Sequence, residues 1–290
     1  MIKTHWQFFR PLEEDSVADV RIYLKSRAQG DVLPWAAQRA AAASYGMTVA
    51  AVEEAALTAG LLPARYQRNR KTFSTDDQLK FFRTTVAVVG CGGLGGYVVE
   101  ELARLGIGQI VAIDPDVFEE HNLNRQLLAT VERLGTSKAE AAAARVSEIN
   151  PAVSVIALKE RFSKENGLRL FEGVHIAVDA LDSIFTRLEL ADVCRQLTIP
   201  LVHGSIAGWY GQVVSQLPGD STLHTMYGRC AEGAGVEKEL GNPSFTPAVV
   251  ASLEVAEVAK LIVGRGAPVR QAMLVVNLLD MEFNKFKIGC

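Results

Sequence analysis

The sequence predicts an α/β fold in which a mostly parallel sheet carries helices on both faces, with an antiparallel C-terminal extension and a small N-terminal helical domain. Three observations carry this. From Thr85 onward, short β-branched runs alternate with helical patterns, as parallel strands joined by crossover helices require. Gly208 to Leu217, Met273 to Leu278 and Met281 to Ile288 then break that alternation and read as antiparallel strands. Residues 1–62 are alanine-rich and helical in pattern, with no β-branched run long enough to argue a strand. At 290 residues with 49% hydrophobic content, the chain can bury a core for one large domain and a smaller appendage.

In chain order, Asp15-Ser16 is expected to cap a helix carrying Val17, Val20, Ile22 and Leu24. Pro34 opens a second helix through Ala43, and Thr48 caps a third through Leu57, ahead of Gly60. The pattern has a helix-turn-helix look, which raises DNA reading. The would-be reading helix, however, carries Glu53 and Glu54 and neither Lys nor Arg, so phosphate repulsion opposes docking. Residues 63–84 form a basic connector in which Arg65, Arg68, Arg70 and Lys71 precede the first acid, Asp76.

The domain 85–290 begins with the strand Thr85 to Val89 and the helix Gly95 to Leu105. Gln109 to Ile113 is a strand, Ser137 to Ile149 a helix capped by Ser137, and Val153 to Leu158 a strand. Val174 to Val178 and Pro200 to Val202 are further strands around a helix over Phe185 to Leu197, and another helix spans Pro247 to Val263. Leu223 to Pro243 lacks periodicity and is expected to be a mobile crossover loop.

Charge and cysteine usage narrow the function classes. A formal charge of −3, from 30 basic and 33 acidic residues, gives no global field favouring nucleic acid or an anionic membrane. No stretch reaches the roughly 18 apolar residues of a membrane span, and the N-terminus lacks the apolar core of a secretion signal. A cytoplasmic protein is expected. The four cysteines, Cys91, Cys194, Cys230 and Cys290, form no Cys-x-x-Cys pair and read as reduced thiols.

Gly90, Gly92 and Gly95, between a strand and a helix, have the spacing of a Rossmann-like nucleotide loop. The first glycine permits the tight turn, the second lets backbone approach phosphate, and the third allows helix and strand to close. Asp114, 19 positions past Gly95, ends the next strand where a carboxylate accepts hydrogen bonds from ribose hydroxyls. Arg125 and Lys138 point to the chemistry: a guanidinium grips phosphate oxygens bidentately and an ammonium supplies a movable charge. Two cations beside a glycine loop suit a triphosphate better than a dinucleotide. Lys138 follows a helix cap, where a cation calls for a compensating anion. Asp182 stands at the carboxyl end of a central strand, where open sheets bind ligands. One carboxylate with phosphate oxygens and water suits Mg2+, with Asp179 the competing candidate. His121 and His203 read as ligand contacts or as hydrogen-bonded structural groups, and Trp209 and Tyr210 as ligand contacts or core aromatics.

Gly90 to Gly96, Asp114, Asn122 to Gln126, Gly135 to Lys138, Asp182 and Arg65-Tyr66-Gln67-Arg68-Asn69 together resemble one family. It is that of the E1-like adenylyltransferases of the ThiF, MoeB and HesA type, which activate small ubiquitin-like sulfur carriers for thiamine and molybdopterin biosynthesis. The likeness runs from about Arg65 to the C-terminus, with Asn69 standing where Gln is usual. It implies that the carrier's C-terminal Gly-Gly carboxylate attacks the α-phosphorus of ATP, giving an acyl-adenylate and pyrophosphate. By the resemblance, Gly90, Gly92, Gly93, Leu94, Gly95 and Asp114 hold the nucleotide. Asn122, Arg125, Gln126 and Lys138 address its phosphates, and Asp182 holds Mg2+. Arg68 reaches into the neighbouring subunit's site, which makes a homodimer necessary.

Two departures stand out. Relatives often bind structural zinc through two Cys-x-x-Cys pairs. Here the first pair corresponds to Tyr227-Gly228-Arg229-Cys230 and the second has no counterpart before Gly289-Cys290, so no structural zinc is expected. Some relatives also carry a loop cysteine that joins the carrier covalently, and Cys230 is the nearest thiol. The alternatives are an NAD(P)-dependent oxidoreductase and a nucleotide-sensing regulator that puts the N-terminal helices on DNA. The first leaves Arg68, Arg125 and Lys138 without purpose, and the acidic helix argues against the second.

Overall fold

The computed structural model describes residues 14–228 and 237–288, and the chain divides into two compact units, Met1–Leu79 and Lys80–Cys290. The first unit contains α1 (Glu14–Arg27), β1 (Val32–Leu33), α2 (Trp35–Tyr45), α3 (Val49–Thr58), β2 (Leu62–Pro63) and a 3-10 turn, Ala64–Asn69. Then α4 (Thr75–Phe82) carries the chain into the second unit. The core of the first unit gathers Val20, Leu24, Leu33, Ala41, Val52 and Ala56. As the sequence predicts, Thr48 caps α3, its hydroxyl accepting from Ala51 N at 3.1 Å.

Three expectations for this unit need correction. Asp15 and Ser16 lie inside α1 rather than before it. Val20, Ile22 and Leu24 do lie on α1, with Ile22 68% exposed because a 3.6-residue period that turns Val20 and Leu24 inward turns residue 22 outward. A parallel pair, Val32 with Leu62 and Leu33 with Pro63, exists where no strand was expected; each strand is too short to leave a sequence pattern. Glu53 is fully buried, so it does not present the acidic surface that argued against DNA docking, although α3 still carries neither Lys nor Arg. The stretch 63–84 is folded as the 3-10 turn and α4.

The second unit opens with β3 (Thr85–Val89), α5 (Gly93–Leu105), β4 (Gln109–Ile113), α6 (Lys138–Ile149) and β5 (Ser154–Leu158). It continues through α7 (Lys164–Leu170), β6 (Ile176–Asp179), α8 (Ile184–Leu197), β7 (Leu201–Ala207) and β8 (Tyr210–Gln216). The rest is α9 (Thr222–Tyr227), α10 (Glu237–Leu240), α11 (Phe245–Val263), β9 (Ala272–Asn277) and β10 (Glu282–Lys287). These strands form an 8-stranded sheet in the order β10-β9-β8-β7-β6-β3-β4-β5. Strands β3 to β7 run parallel, whereas β8, β9 and β10 are antiparallel.

Val86, Ala87 and Val88 of β3 are fully buried because helices cover both faces there, which is why the strand reads as an unbroken apolar run. By contrast, every residue of β10 is exposed. Strand order reverses at β3, with β4 on one side and β6 on the other, and that reversal opens a crevice beyond the carboxyl ends of both. Ser137 caps α6 by accepting from Glu140 N at 3.4 Å. Where a crossover loop was expected, α9 and α10 occupy both sides of a stretch, 229–236, that lies outside the described residues. Helices of four to six residues are too short to show periodicity. Among the described residues no helix is long and apolar enough to cross a membrane.

Candidate functional site

The crevice is a cleft of about 1030 Å³ lined by the glycine loop, Asp114, Arg125, Gln126, Lys138 and Asp182. Sterics dictate the loop. Gly90 has φ +93°, and a Cβ on it would stand 2.6 Å from the Ala180 carbonyl oxygen. A Cβ on Gly95 would fall 1.7 Å from the Gly90 carbonyl oxygen, so that glycine lets α5 close on the turn and does not itself face the cleft. Gly90, Gly92, Gly93 and Leu94 do line it, and the backbone from Gly92 leads straight into the N-terminus of α5. Unpaired N–H groups and the helix dipole there favour an anion.

Asp114 is 4% exposed and is gripped by backbone: Cys91 N donates to Oδ2 at 2.7 Å and Asp116 N to Oδ1 at 2.8 Å. Burial raises its carboxyl above the usual aspartate range despite those two donors. Each oxygen keeps a lone pair for a further donor from the cleft. Cys91 is fully buried, and burial pushes its thiol up, which leaves a small packing group rather than a nucleophile. Cys194 is buried with its thiol raised in the same way.

Lys138, buried at the start of α6, has the compensating anion its position calls for: Asp116 Oδ2 lies 3.3 Å from Nζ. The cation is thereby held at the cleft wall. Arg125 also lines the cleft, its Nη1 donating to the His121 carbonyl at 3.2 Å and to Asn124 Oδ1 at 2.9 Å. The neighbouring Gln126 is buried, and its Oε1 has no hydrogen-bond partner among the described residues, an orphan acceptor at the cleft wall. Asn122 does not line the cleft. Its Oδ1 accepts from Glu119 N at 3.0 Å and closes a capping box on the turn that carries Arg125.

The two candidate carboxylates at the end of β6 have opposite surroundings. Asp179 is fully buried between Arg187 Nε at 3.0 Å and His203 Nδ1 at 2.8 Å, and its Oδ1 accepts from Leu181 N at 3.0 Å. Burial alone would raise its carboxyl, but the Arg187 guanidinium and then His203 hold it below the usual aspartate range. Burial and Arg187 in turn lower His203, so the imidazole is neutral. The ring's Nε2 lies 3.0 Å from the Tyr227 hydroxyl. His203 is thus a structural histidine. Asp182, in contrast, is exposed at the cleft with no hydrogen-bond or ion-pair partner among the described residues. The donor set fits a hard divalent cation held by one carboxylate, phosphate oxygens and water.

Among the cleft residues that escaped the sequence reading are Asp116, Arg187, Gln212 and Tyr227. The acid repeated in Asp114-Pro115-Asp116 was a signal for the first. Arg187, in the first turns of α8, carried the same cue as Lys138, a cation at a helix start in need of an anion. Gln212 and Tyr227 left no cue, since Gln212 Nε2 meets Tyr227 and Ser205 only through the folding of β7, β8 and α9. Tyr210 lines the cleft, whereas Trp209 stacks on Phe245 with ring centroids 4.6 Å apart. His121 is exposed beside Glu119. Arg68 belongs to the first unit, in the turn Ala64–Asn69, where it is exposed and without a partner among the described residues. Cys230 and Cys290, the thiols at issue for zinc and for a covalent link, lie outside the described residues.

Comparison with known proteins identifies the family and the fold. The model of the ThiF family matches residues 66–290. The SAMP-activating enzyme E1 of Haloferax volcanii is 35% identical over 72% of this chain and 78% of that one. The sulfur carrier protein adenylyltransferase of Thermus thermophilus is 36% identical over 73% of this chain and 82% of that one. In fold, the chain resembles the crystal structure of E. coli MccB with ATP, with a TM-score of 0.64 at 22% identity over 78% of this chain and 71% of that one.

Proposed function

The chain belongs to the ThiF family, and from that premise we propose that it adenylylates the C-terminal Gly-Gly carboxylate of a small ubiquitin-like sulfur carrier protein, using ATP. The observation that carries this reading is the convergence on one cleft of a glycine loop, two cations from different elements, Arg125 and Lys138, and the unpartnered carboxylate Asp182. The carrier's carboxylate oxygen forms a bond to the α-phosphorus of ATP. The bond from that phosphorus to the bridging oxygen breaks, and pyrophosphate leaves with the electron pair. The carboxylate is ionised at neutral pH, so no general base is needed. Catalysis is a matter of alignment and of stabilising spreading negative charge.

The lone pairs left on Asp114 accept from the ribose hydroxyls, and the Gly90–Gly95 turn brings backbone N–H groups to the phosphates. Arg125 has guanidinium donors beyond Nη1 to offer, and Lys138 exchanges part of its pairing with Asp116 for phosphate oxygen. Gln126 Oε1 accepts a donor from the nucleotide, while Asn122 acts one step back by holding the Arg125 turn. Mg2+ held by Asp182 would neutralise phosphate charge as pyrophosphate departs. Arg68 supplies a further guanidinium to the site of a second copy, so the working unit is a homodimer. The adenylate feeds sulfur transfer to a cofactor of the thiamine or molybdopterin type, and the identity of the carrier determines which.

Carrier-dependent incorporation of labelled pyrophosphate into ATP tests this reading. Exchange with a Gly-Gly carrier, abolished when the last glycine is removed, supports it; no exchange with any such carrier would sink it. Mixing Arg68→Ala and Asp182→Ala subunits should restore part of the rate if the site is shared between copies. No rescue after confirmed subunit exchange would remove Arg68 from the neighbouring site.

A further inference from the structure

The segment that carries Arg68 is fastened to the helical module by a buried polar hub. Glu53 on α3 is fully buried, and its two oxygens take three donors: Tyr66 Oη on Oε1 at 2.7 Å, Gln38 Nε2 on Oε2 at 3.1 Å, and Arg65, which pairs with Oε2. Arg65 has further contacts. Its Nη2 donates to Gln38 Oε1 at 2.8 Å, and its guanidinium lies over Trp35, 5.0 Å from the ring centroid. The hub unites α2, α3 and the 3-10 turn. Both ends of the turn are also secured. Leu62 N donates to the Asp31 carbonyl at 2.7 Å beside the β1–β2 pair, and Arg70 pairs with the Asp31 carboxylate.

Between these fastenings Gln67 and Arg68 are exposed, and Arg68 has no partner among the described residues. A long cation stands free on a turn whose flanking residues are tied down. The family match begins at residue 66, next to Arg65, so Gln38 and Glu53 lie outside it, and the hub binds an added module to the first residues of the shared domain. A buried carboxylate surrounded by three donors is costly unless every member is satisfied, and here each bond serves one short turn.

We infer that the N-terminal helical module is a bracket that presents Arg68 to nucleotide phosphate, with Glu53 as its positioning residue. The inference rests on the reading of Arg68 as a phosphate contact and extends it to residues with no contact with the reaction. Fixing the turn before the phosphate arrives removes the entropy loss of ordering backbone when the contact forms. The module thereby acts on rate through one side chain rather than through general stability.

A double-mutant cycle separates the two possibilities. Carrier-dependent pyrophosphate exchange is measured for the full chain as Glu53→Gln, Arg68→Ala and the pair together, with thermal unfolding of each. Glu53→Gln should lower kcat/KM for ATP about 10-fold and, on the Arg68→Ala background, change it less than about twofold. Equal losses on both backgrounds, or no loss in Glu53→Gln alone, overturn the bracket and leave the Arg68 reading intact. A wild-type rate in Arg68→Ala overturns that reading and the bracket with it. Should Glu53→Gln fail to fold, Tyr66→Phe deletes one donor to Glu53 and must show the same non-additivity at smaller size. Additive behaviour of that variant also overturns the bracket.

Discussion

The sheet buries a carboxyl group on each face of its β6–β7 strands, and the two have opposite electrostatic fates. On the face covered by α8, Asp179 meets Arg187, His203 and a backbone N–H and is held ionised. On the face covered by α11, Glu254 is just as buried against Gly204, but neither of its oxygens has a hydrogen-bond partner among the described residues. Burial first, and then the negative charge of Asp179, push its carboxyl well above the glutamate range, which favours the neutral acid. Equal burial therefore does not dictate charge; partners do. Asp182, three residues past Asp179 and exposed, shows the third outcome, an ionisable group left free to meet a ligand.

Removing the charge of Asp179 should have the largest effect. Asp179→Asn takes the Asp179 charge away from the buried Arg187, at a cost of about 3–5 kcal/mol in stability measured by urea unfolding. A midpoint unchanged from wild type would show that the pair contributes nothing. Asp182→Ala reverses the pattern: unfolding stays put, while carrier-dependent exchange falls roughly 10²–10³-fold, the loss typical of one transition-state charge contact. If stability fell and exchange did not, Asp182 would be the structural carboxylate.

Arg125→Ala removes one charge-assisted contact while Lys138 remains, so exchange should drop roughly 10- to 100-fold. A wild-type rate would take Arg125 out of the phosphate site. The smallest effect belongs to Glu254→Gln, which swaps a neutral acid for a neutral amide and should change stability by less than about 1 kcal/mol near pH 5.

The pH dependence sharpens the same contrast. A raised folded pKa means the native state holds a proton that the unfolded chain releases above the ordinary glutamate value of 4.5, so Glu254 costs stability progressively as pH rises past it. Asp179 is lowered, so its contribution is present above the ordinary aspartate value of 3.8 and is lost as pH falls below it. Unfolding midpoints of Glu254→Gln should therefore fall less than those of wild type between pH 5 and 8. Parallel curves would mean Glu254 is ionised in the native state.

Much of the second unit was legible in the sequence. The strands Thr85–Val89 and Gln109–Ile113 and the cap at Ser137 stand where the residues put them, because β-branched runs and cap chemistry act within a few positions. Gly90 and Gly95 were legible for the same reason, a steric demand set by the turn itself. Less could be read in the first unit, where two-residue strands and a 3-10 turn leave no period, and where Glu53 looked like an exposed acid. The role of Asn122 was equally hidden, since a side chain that closes a turn has the same one-letter code as one that binds phosphate.

By itself the sequence determined the order of elements, the glycine turn and the presence of cations beside it, since periodicity, φ preference and capping are local properties of the chain. Only the tertiary structure decided which groups are free. Asp116 reaches Lys138 across 22 positions, Asp179 reaches His203 across 24, and Glu53 reaches Arg65 across 12. Charge state and availability follow from burial and from partners that folding brings together through space. No spacing along the chain encodes that, and so it took the fold to separate Asp182 from Asp179 and to turn Glu53 from a surface acid into a buried hub.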